Sequence, residues 1–328
     1  MPTLLELCQY FSYLGFFVTY ISNTALILLT ILKIKAIVGT YKLMVIIFAL
    51  CGGLFSFWKI IAQPFAHNYN RALIVFSIND FLGDYQTFLQ VSLSIYAGFY
   101  AVILSFLAVQ FVFRLLTLVN VSLTKKFEGV GVVGWMLYPM VTGGLYSLSL
   151  FYFGRPDEYS DGYVRKEFLE IYGLDPNEVA HFNLVPYAPD NSLRWHNLLF
   201  ILTGCALIGL QYLIIIYCGF SMHFTMKEEL SHFSMLNQKL QKQFFKALVV
   251  QTLVPTFLFV FPACPLLIGP LLDLQWSMQS GGVIALLGLY PPVDSIAFML
   301  IVTEYRKVIR GLWDPRNQVG QQVTSLVI

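Results

Sequence analysis

Charge-free apolar runs separated by short charged clusters dominate the chain. Leu7–Leu32, Tyr85–Phe113, Gly129–Gly154, Trp195–Met226, Ala247–Leu272 and Leu274–Val293 contain no Asp, Glu, Lys or Arg. A bilayer-spanning helix needs roughly 20 apolar residues, so each run can cross a membrane. Hydropathy and charge together predict spans at about 11–32, 43–62, 88–113, 129–153, 197–220, 247–270 and 281–303. The second is the shortest, with a charge-free stretch of only Leu43–Trp58, and Lys59 is expected to snorkel to the headgroups. The reading is an all-α membrane protein, one seven-transmembrane helix bundle over residues 1–328, with a large outer loop at 154–194 and a cytoplasmic tail at 304–328.

Composition agrees. Of 328 residues 57% are hydrophobic and 12% charged, with a mean hydropathy of +0.70, whereas soluble domains hold roughly 45–50% apolar and about 25% charged residues. The net charge of +2 gives no reason to expect a nucleic-acid partner. No Lys or Arg precedes the first apolar run, so the first span reads as a retained anchor rather than a signal peptide. The five cysteines lie in or beside apolar runs and read as packing residues.

The loops then set orientation. One set, including Lys33, Lys35, Lys42, Arg114, Lys125, Lys126, Lys227 and Arg316, carries 14 Lys and Arg against five acids, and the alternate set carries six. Basic residues collect on the cytoplasmic side, which places the N-terminus outside and the C-terminus in the cytoplasm. The sequon at Asn120 then falls inside and is expected to stay unmodified.

Catalysis has little to stand on. His67, His181, His196, His223 and His232 sit in loops or at span ends, and Asp294 is the only carboxylate well inside a span. Intramembrane hydrolysis needs a carboxylate pair, a Ser/His couple or a metal cluster at depth, and a retinal Schiff base needs a lysine that the last span lacks. The chain reads as a non-enzyme without cofactor or metal.

Several residues could carry signalling instead. Asp294 lies about 20 Å down the last span, beside Tyr290, Pro291 and Pro292; it must face the bundle, either as structural glue or as a switch. Arg114 ends the third span and serves either as a headgroup anchor or as part of the bundle floor. Pro255, Pro262 and Pro265 can make the sixth span a pivot. On the third span Ser92, Tyr96, Phe99, Tyr100 and Ile103 form one helical stripe. It makes either ordinary packing or the wall of a small-molecule cavity, to which Phe200, Phe261 and Cys264 are further candidates.

The segments SNTALILLTILKIKAIVGTYKLMVIIFAL, QPFAHNY, LAVQFVFR, IYGLDPNEVAHFNLVPY, LQKQFFKALVVQTLVP and YPPVDSIAFMLIVTEYRKVI resemble, in order and across nearly the whole chain, nematode seven-transmembrane chemoreceptors of the Str group. The resemblance implies a G-protein-coupled receptor in the plasma membrane of sensory cilia. Its expected partners are a small odorant-like ligand, a heterotrimeric G protein and membrane lipids. By the same resemblance Gln110, Phe113 and Arg114 match the ending of the family's third span, Gln251 and Pro255 an element of the sixth, and Pro291, Asp294, Tyr305 and Arg306 elements of the seventh. No cysteine stands in 63–87 or 154–194 to form the outer staple of rhodopsin-like receptors. The competing classes are a seven-spanning ligand-gated channel and a transporter that uses Asp294 in its pathway.

Overall fold

The computed structural model describes residues 3–35, 37, 39–229, 235–272, 274 and 276–313. His232, Asp314, Arg316 and the tail from 314 onward lie outside the described residues.

Helix α1 (Leu4–Leu32) starts earlier than hydropathy suggests because of a capping box. The Glu6 amide donates to Thr3 Oγ1 (3.3 Å), and the Thr3 amide donates to Glu6 Oε2 (3.0 Å). After α2 (Gly39–Ala62) comes α3 (Gln86–Val119), which continues beyond its predicted end at 113. A short α4 (Val121–Thr124) leads to α5 (Gly131–Phe153). Helices α6 (Glu158–Tyr172) and α7 (Trp195–Glu229) follow. The predicted sixth span is a composite: α8 (Met235–Pro255), a π-helical turn at Thr256–Val260, and α9 (Phe261–Ile268). The predicted seventh divides into α10 (Gly281–Leu287) and α11 (Tyr290–Ile301). The segment read as the start of a tail forms α12 (Thr303–Trp313).

Six of these units are long and apolar enough to cross a membrane: α1, α2, α3, α7, the composite 238–271 and the composite 281–301. Helix α5 has 23 residues and no charge, but glycines, tyrosines, serines and Pro139 dilute its apolar content.

Helix α3 is the axis. It is buried on nearly every face and packs against α2, α5, α7 and α8, while α1 and α11 close the ring through α2 and α8. The α3–α5 contact is the most extensive in the molecule and depends on two glycines facing each other. A Cβ on Gly98 would sit 2.7 Å from the Gly143 carbonyl oxygen, and one on Gly143 would sit 2.3 Å from Val102 Cγ2. Small residues let membrane helices approach backbone to backbone.

One end of the bundle carries an antiparallel sheet of order β3-β2-β1-β4, formed by β1 (Pro64–Tyr69), β2 (Ala72–Ser77), β3 (His181–Leu184) and β4 (Ser277–Gln279). The β1–β2 hairpin pairs Tyr69 with Ala72, and its two-residue turn holds Asn70 at φ +48. Alternation along β1 gives the sheet two faces. Ala66 packs into the main core, whereas Phe65 packs with Phe76, Val164 and Phe168 in a second core beneath α6. The stretch 154–194, read as a loop, thus contains a capped helix and a strand. Asp157 caps α6 by accepting the Ser160 amide (2.8 Å), and Gly173 ends it at φ +68.

Lys59 corrects a second expectation. It is 3% exposed and does not snorkel; its Nζ donates to the carbonyls of Ile284 (3.1 Å) and Ala285 (3.4 Å) in the last turn of α10. The Ala285 carbonyl also accepts the Gly288 amide (3.0 Å), and the ammonium adds a donor near the helix end, where in-helix donors run out. A Cβ on Gly288 would stand 2.3 Å from that nitrogen, so the break between α10 and α11 is where the ammonium fits.

Candidate functional site

Beneath the sheet lies a cavity of about 210 Å³, walled by α3, α5, α7, the π-turn with α9, and α10. No charged side chain lines it. Tyr96 and Tyr100 on α3 bring the polar atoms that matter most. Phe55 stacks on Tyr96 (5.2 Å), Tyr100 meets Tyr96 edge-on (5.2 Å) and stacks on Phe259 (4.2 Å), and both hydroxyls are buried with no hydrogen-bond partner outside their own pair. An apolar pocket with a few unsatisfied donors suits a small neutral molecule with one or two polar atoms.

The structure brings Tyr96, Tyr100, Phe200 and Cys264 together at this cavity and leaves four other candidates, Ser92, Phe99, Ile103 and Phe261, outside it. Ser92 is buried one turn away, where its carbonyl accepts from Trp58 Nε1 (2.9 Å). Phe99 packs on Phe55, with centroids 6.0 Å apart. Phe261 is 60% exposed and points away from the cavity. The π-turn explains the last case, because an extra residue in one turn rotates everything after it, so that Phe259 takes the inward position. Sequence reasoning also missed Tyr146, which stacks on Phe200 at 5.5 Å, and the roof residues Ala66, Leu73 and Leu184. The short apolar run ALIVFS, rich in β-branched and aromatic residues and bounded by Asn70 and Asn79, was the available strand signal for part of that roof.

At the middle of the bundle Gln251 Nε2 donates to Asp294 Oδ2 (3.1 Å), tying α8 to α11. Asp294 Oδ1, Gln251 Oε1, Gln110 Nε2 and the Tyr290 hydroxyl are buried without partners. One residue on, Ser295 Oγ donates to Asn23 Oδ1 (2.6 Å), and Asn23 Nδ2 donates to the Ala49 carbonyl (2.7 Å), joining α11, α1 and α2. Pro291 packs close to this bridge, 3.1 Å from where a Cβ on Gly52 would lie.

At the end opposite the sheet, Arg114 is 5% exposed. The side chain packs between α2, α3 and α8 instead of reaching the bundle surface. Its guanidinium carbon lies 3.3 Å from the Tyr41 ring centroid and 4.1 Å from that of Phe244, and Nη1 donates to Gln241 Oε1 (3.4 Å). Phe113 stacks parallel to Tyr41 at 6.4 Å. Tyr305 is fully buried and shares a 2.7 Å hydrogen bond with Thr30 Oγ1. Gln243 both donates to Thr303 Oγ1 (2.6 Å) and accepts the Thr303 amide (2.9 Å), fixing α12 to α8. Arg306 reaches only Thr303 Oγ1 (3.1 Å) and is exposed. Pro255 is the last residue before the π-turn.

In the cap, His67 is fully buried, with Nδ1 3.0 Å from the Tyr172 hydroxyl and Nε2 3.7 Å from Glu167 Oε1. Burial lowers its pKa below the usual histidine value, against the opposing pull of Glu167. His181 bonds Asp161 (3.0 Å). Among the described residues no group of three His, Cys, Asp or Glu could hold a metal ion.

Long apolar helices around a neutral, roofed cavity, with polar ties between helices at the centre, are the architecture of a multi-pass membrane protein. The family model for serpentine type 7TM GPCR chemoreceptors, Str, matches residues 8–310, and the chain belongs to that family. It is 39% identical over 305 residues to G-protein coupled receptor str-33 of Caenorhabditis elegans, covering 91% of this chain and 88% of that one. It is 28% identical over 305 residues to serpentine receptor class r-10 of the same organism, covering 90% and 88%. The corresponding Caenorhabditis briggsae class r-10 receptor is 25% identical over 302 residues, covering 90% and 87%. The family is one of receptors rather than enzymes.

Proposed function

We propose that the chain is a chemosensory receptor that crosses the plasma membrane seven times, with α5 as the fourth span, the sheet outside and α12 in the cytoplasm. A small odorant-like molecule occupies the cavity beneath the sheet and shifts the bundle toward a form that activates a heterotrimeric G protein. The observation that carries this reading is the roofed, uncharged cavity with two buried tyrosine hydroxyls that no group outside their own pair satisfies. The ligand can move the equilibrium only as far as its affinities for the two forms differ.

Phe259 connects the cavity to the helix that must move. It touches the ligand space from the π-turn, immediately after Pro255, and α8 below it carries Gln251, Phe244 and Gln241. A shift of the π-turn therefore bears on both the Asp294 tie and the Arg114 cage. The basic surface of the predicted inner loops would meet an acidic partner element and anionic lipid. Sensory cilia are the expected location.

The test is nucleotide exchange on a co-reconstituted G protein, with the intact chain in lipid nanodiscs and a panel of neutral volatiles. Exchange that depends on a volatile and is lost in Tyr100→Ala, with expression retained, supports the reading. Ligand-evoked current or uptake that needs no G protein refutes it.

A further inference from the structure

The walls of the cavity are unequal. On the capped side Ala66, Leu73 and Leu184 are no more than 3% exposed, and the second buried core, with Phe65, Phe76 and Phe168, lies between them and water. The two lining residues that are exposed, Cys205 on α7 and Ile268 on α9, both belong to the opposite flank. Helix α7 packs along α3 and α5 but has no comparable packing against α9.

This gap is bounded above and below. Below it, the Tyr212 hydroxyl and Thr256 Oγ1 share a 2.8 Å hydrogen bond. Above it, the Tyr187 hydroxyl donates to the Leu271 carbonyl (3.0 Å). Between the two ties the lining residues Ile208, Ala263 and Cys264 are half-buried and apolar. Trp195, 64% exposed at the start of α7, marks the level at which membrane proteins place aromatic side chains. Cys205 lies ten residues further on, about 15 Å deeper at the helical rise, and so within the hydrocarbon layer.

We propose that this window between α7 and α9 is the route into the cavity, and that the receptor takes its ligand laterally from the bilayer rather than from the water above the sheet. The ligands selected are uncharged compounds that partition into membranes. The inference rests on the cavity being the ligand site. A charged solute is depleted at that depth by about a hundredfold or more, so the membrane itself acts as the first filter.

The route can be read with a thiol on the far wall. In full-length protein in nanodiscs, with Cys205→Ser and Cys264→Ser, Leu93→Cys puts a reporter on α3 facing the cavity, where Leu93 is 1% exposed. The probes are N-ethylmaleimide and a maleimide bearing a quaternary ammonium. Labelling is followed peptide by peptide and normalised to each reagent's rate with glutathione. Lateral access predicts that the neutral reagent labels the reporter about a hundredfold faster than the charged one. It also predicts that filling the window with Ala263→Trp slows the neutral reagent; Ile208→Trp serves if that variant does not fold. Equal rates for the two reagents, or a neutral rate that neither tryptophan lowers, overturn the lateral route. No labelling by either reagent overturns the cavity reading itself.

Discussion

The Arg114 guanidinium lies between the rings of Tyr41 and Phe244, 3.3 Å from one centroid and 4.1 Å from the other. Among the described residues no carboxylate touches it, and Tyr41 and Gln241 are its polar neighbours. A cation clamped by two rings from α2 and α8 ties three helices together. Each desolvated ring contact contributes about 0.5–2 kcal/mol. Tyr41→Ala and Phe244→Ala are therefore expected to raise basal nucleotide exchange by about twofold to thirtyfold. Basal exchange unchanged in both variants, at equal surface expression, would show that the clamp does not hold the resting form.

Lys59 and Gly288 form a matched pair. Gly288→Ala pushes a methyl to within 2.3 Å of the ammonium, and overpacking of this kind costs about 1–3 kcal/mol. A lowered midpoint of thermal unfolding in detergent is expected, with partial recovery in Gly288→Ala/Lys59→Met. A single variant as stable as the parent would remove the steric account of the helix break.

Helix α6 depends on its first residue. Asp157 accepts the Ser160 amide and pairs with Arg194. Burial would raise its pKa, but the backbone and side-chain hydrogen bonds from Ser160, together with Arg194, outweigh that and lower it. Asp157→Ala should cost about 0.5–2 kcal/mol of local stability, read as faster hydrogen exchange at the start of α6. Unchanged exchange there would argue that packing of Phe168 alone fixes the helix.

The cap should weaken in acid. Because burial depresses the His67 pKa, the folded cap binds fewer protons than the unfolded chain below the ordinary value of about 6.5. Its stability is complete above that value and declines as pH falls toward the lowered folded pKa. Hydrogen exchange across β1 and α6 should accelerate as pH falls below about 6.5, and His67→Gln should flatten the response. A parent protein whose cap exchanges at the same intrinsic-corrected rate throughout would contradict this.

Much of the bundle was legible because helices in lipid must be long and uncharged. Hydropathy located α1, α2, α3, α5 and α7 to within a few residues at most ends. Errors came where local hydrogen bonding overrides hydropathy: the Thr3–Glu6 capping box, the continuation of α3 past Arg114, and the π-turn after Pro255. The sheet was not read because the β1–β2 hairpin is too uniformly apolar to show alternation, while β3 and β4 lie far from it in sequence and have only four and three residues. At the cavity, one helical stripe identified Tyr96 and Tyr100, but a stripe alone cannot say which way the next helix is turned. Hydropathy alone therefore points to Phe261, whereas Phe259 lines the cavity.

The cap draws its strands from three separated stretches of chain, and its edge strand β4 ends at Gln279, after all but one of the long apolar units. No disulfide holds it, since all five cysteines are free thiols. During synthesis, then, the β1 edge stays unpaired until almost the whole polypeptide has left the ribosome. Its maturation is set by chain completion and not by oxidation, so reductants in the secretory pathway should leave the yield of folded protein untouched, whereas any truncation upstream of β4 leaves an adhesive strand exposed.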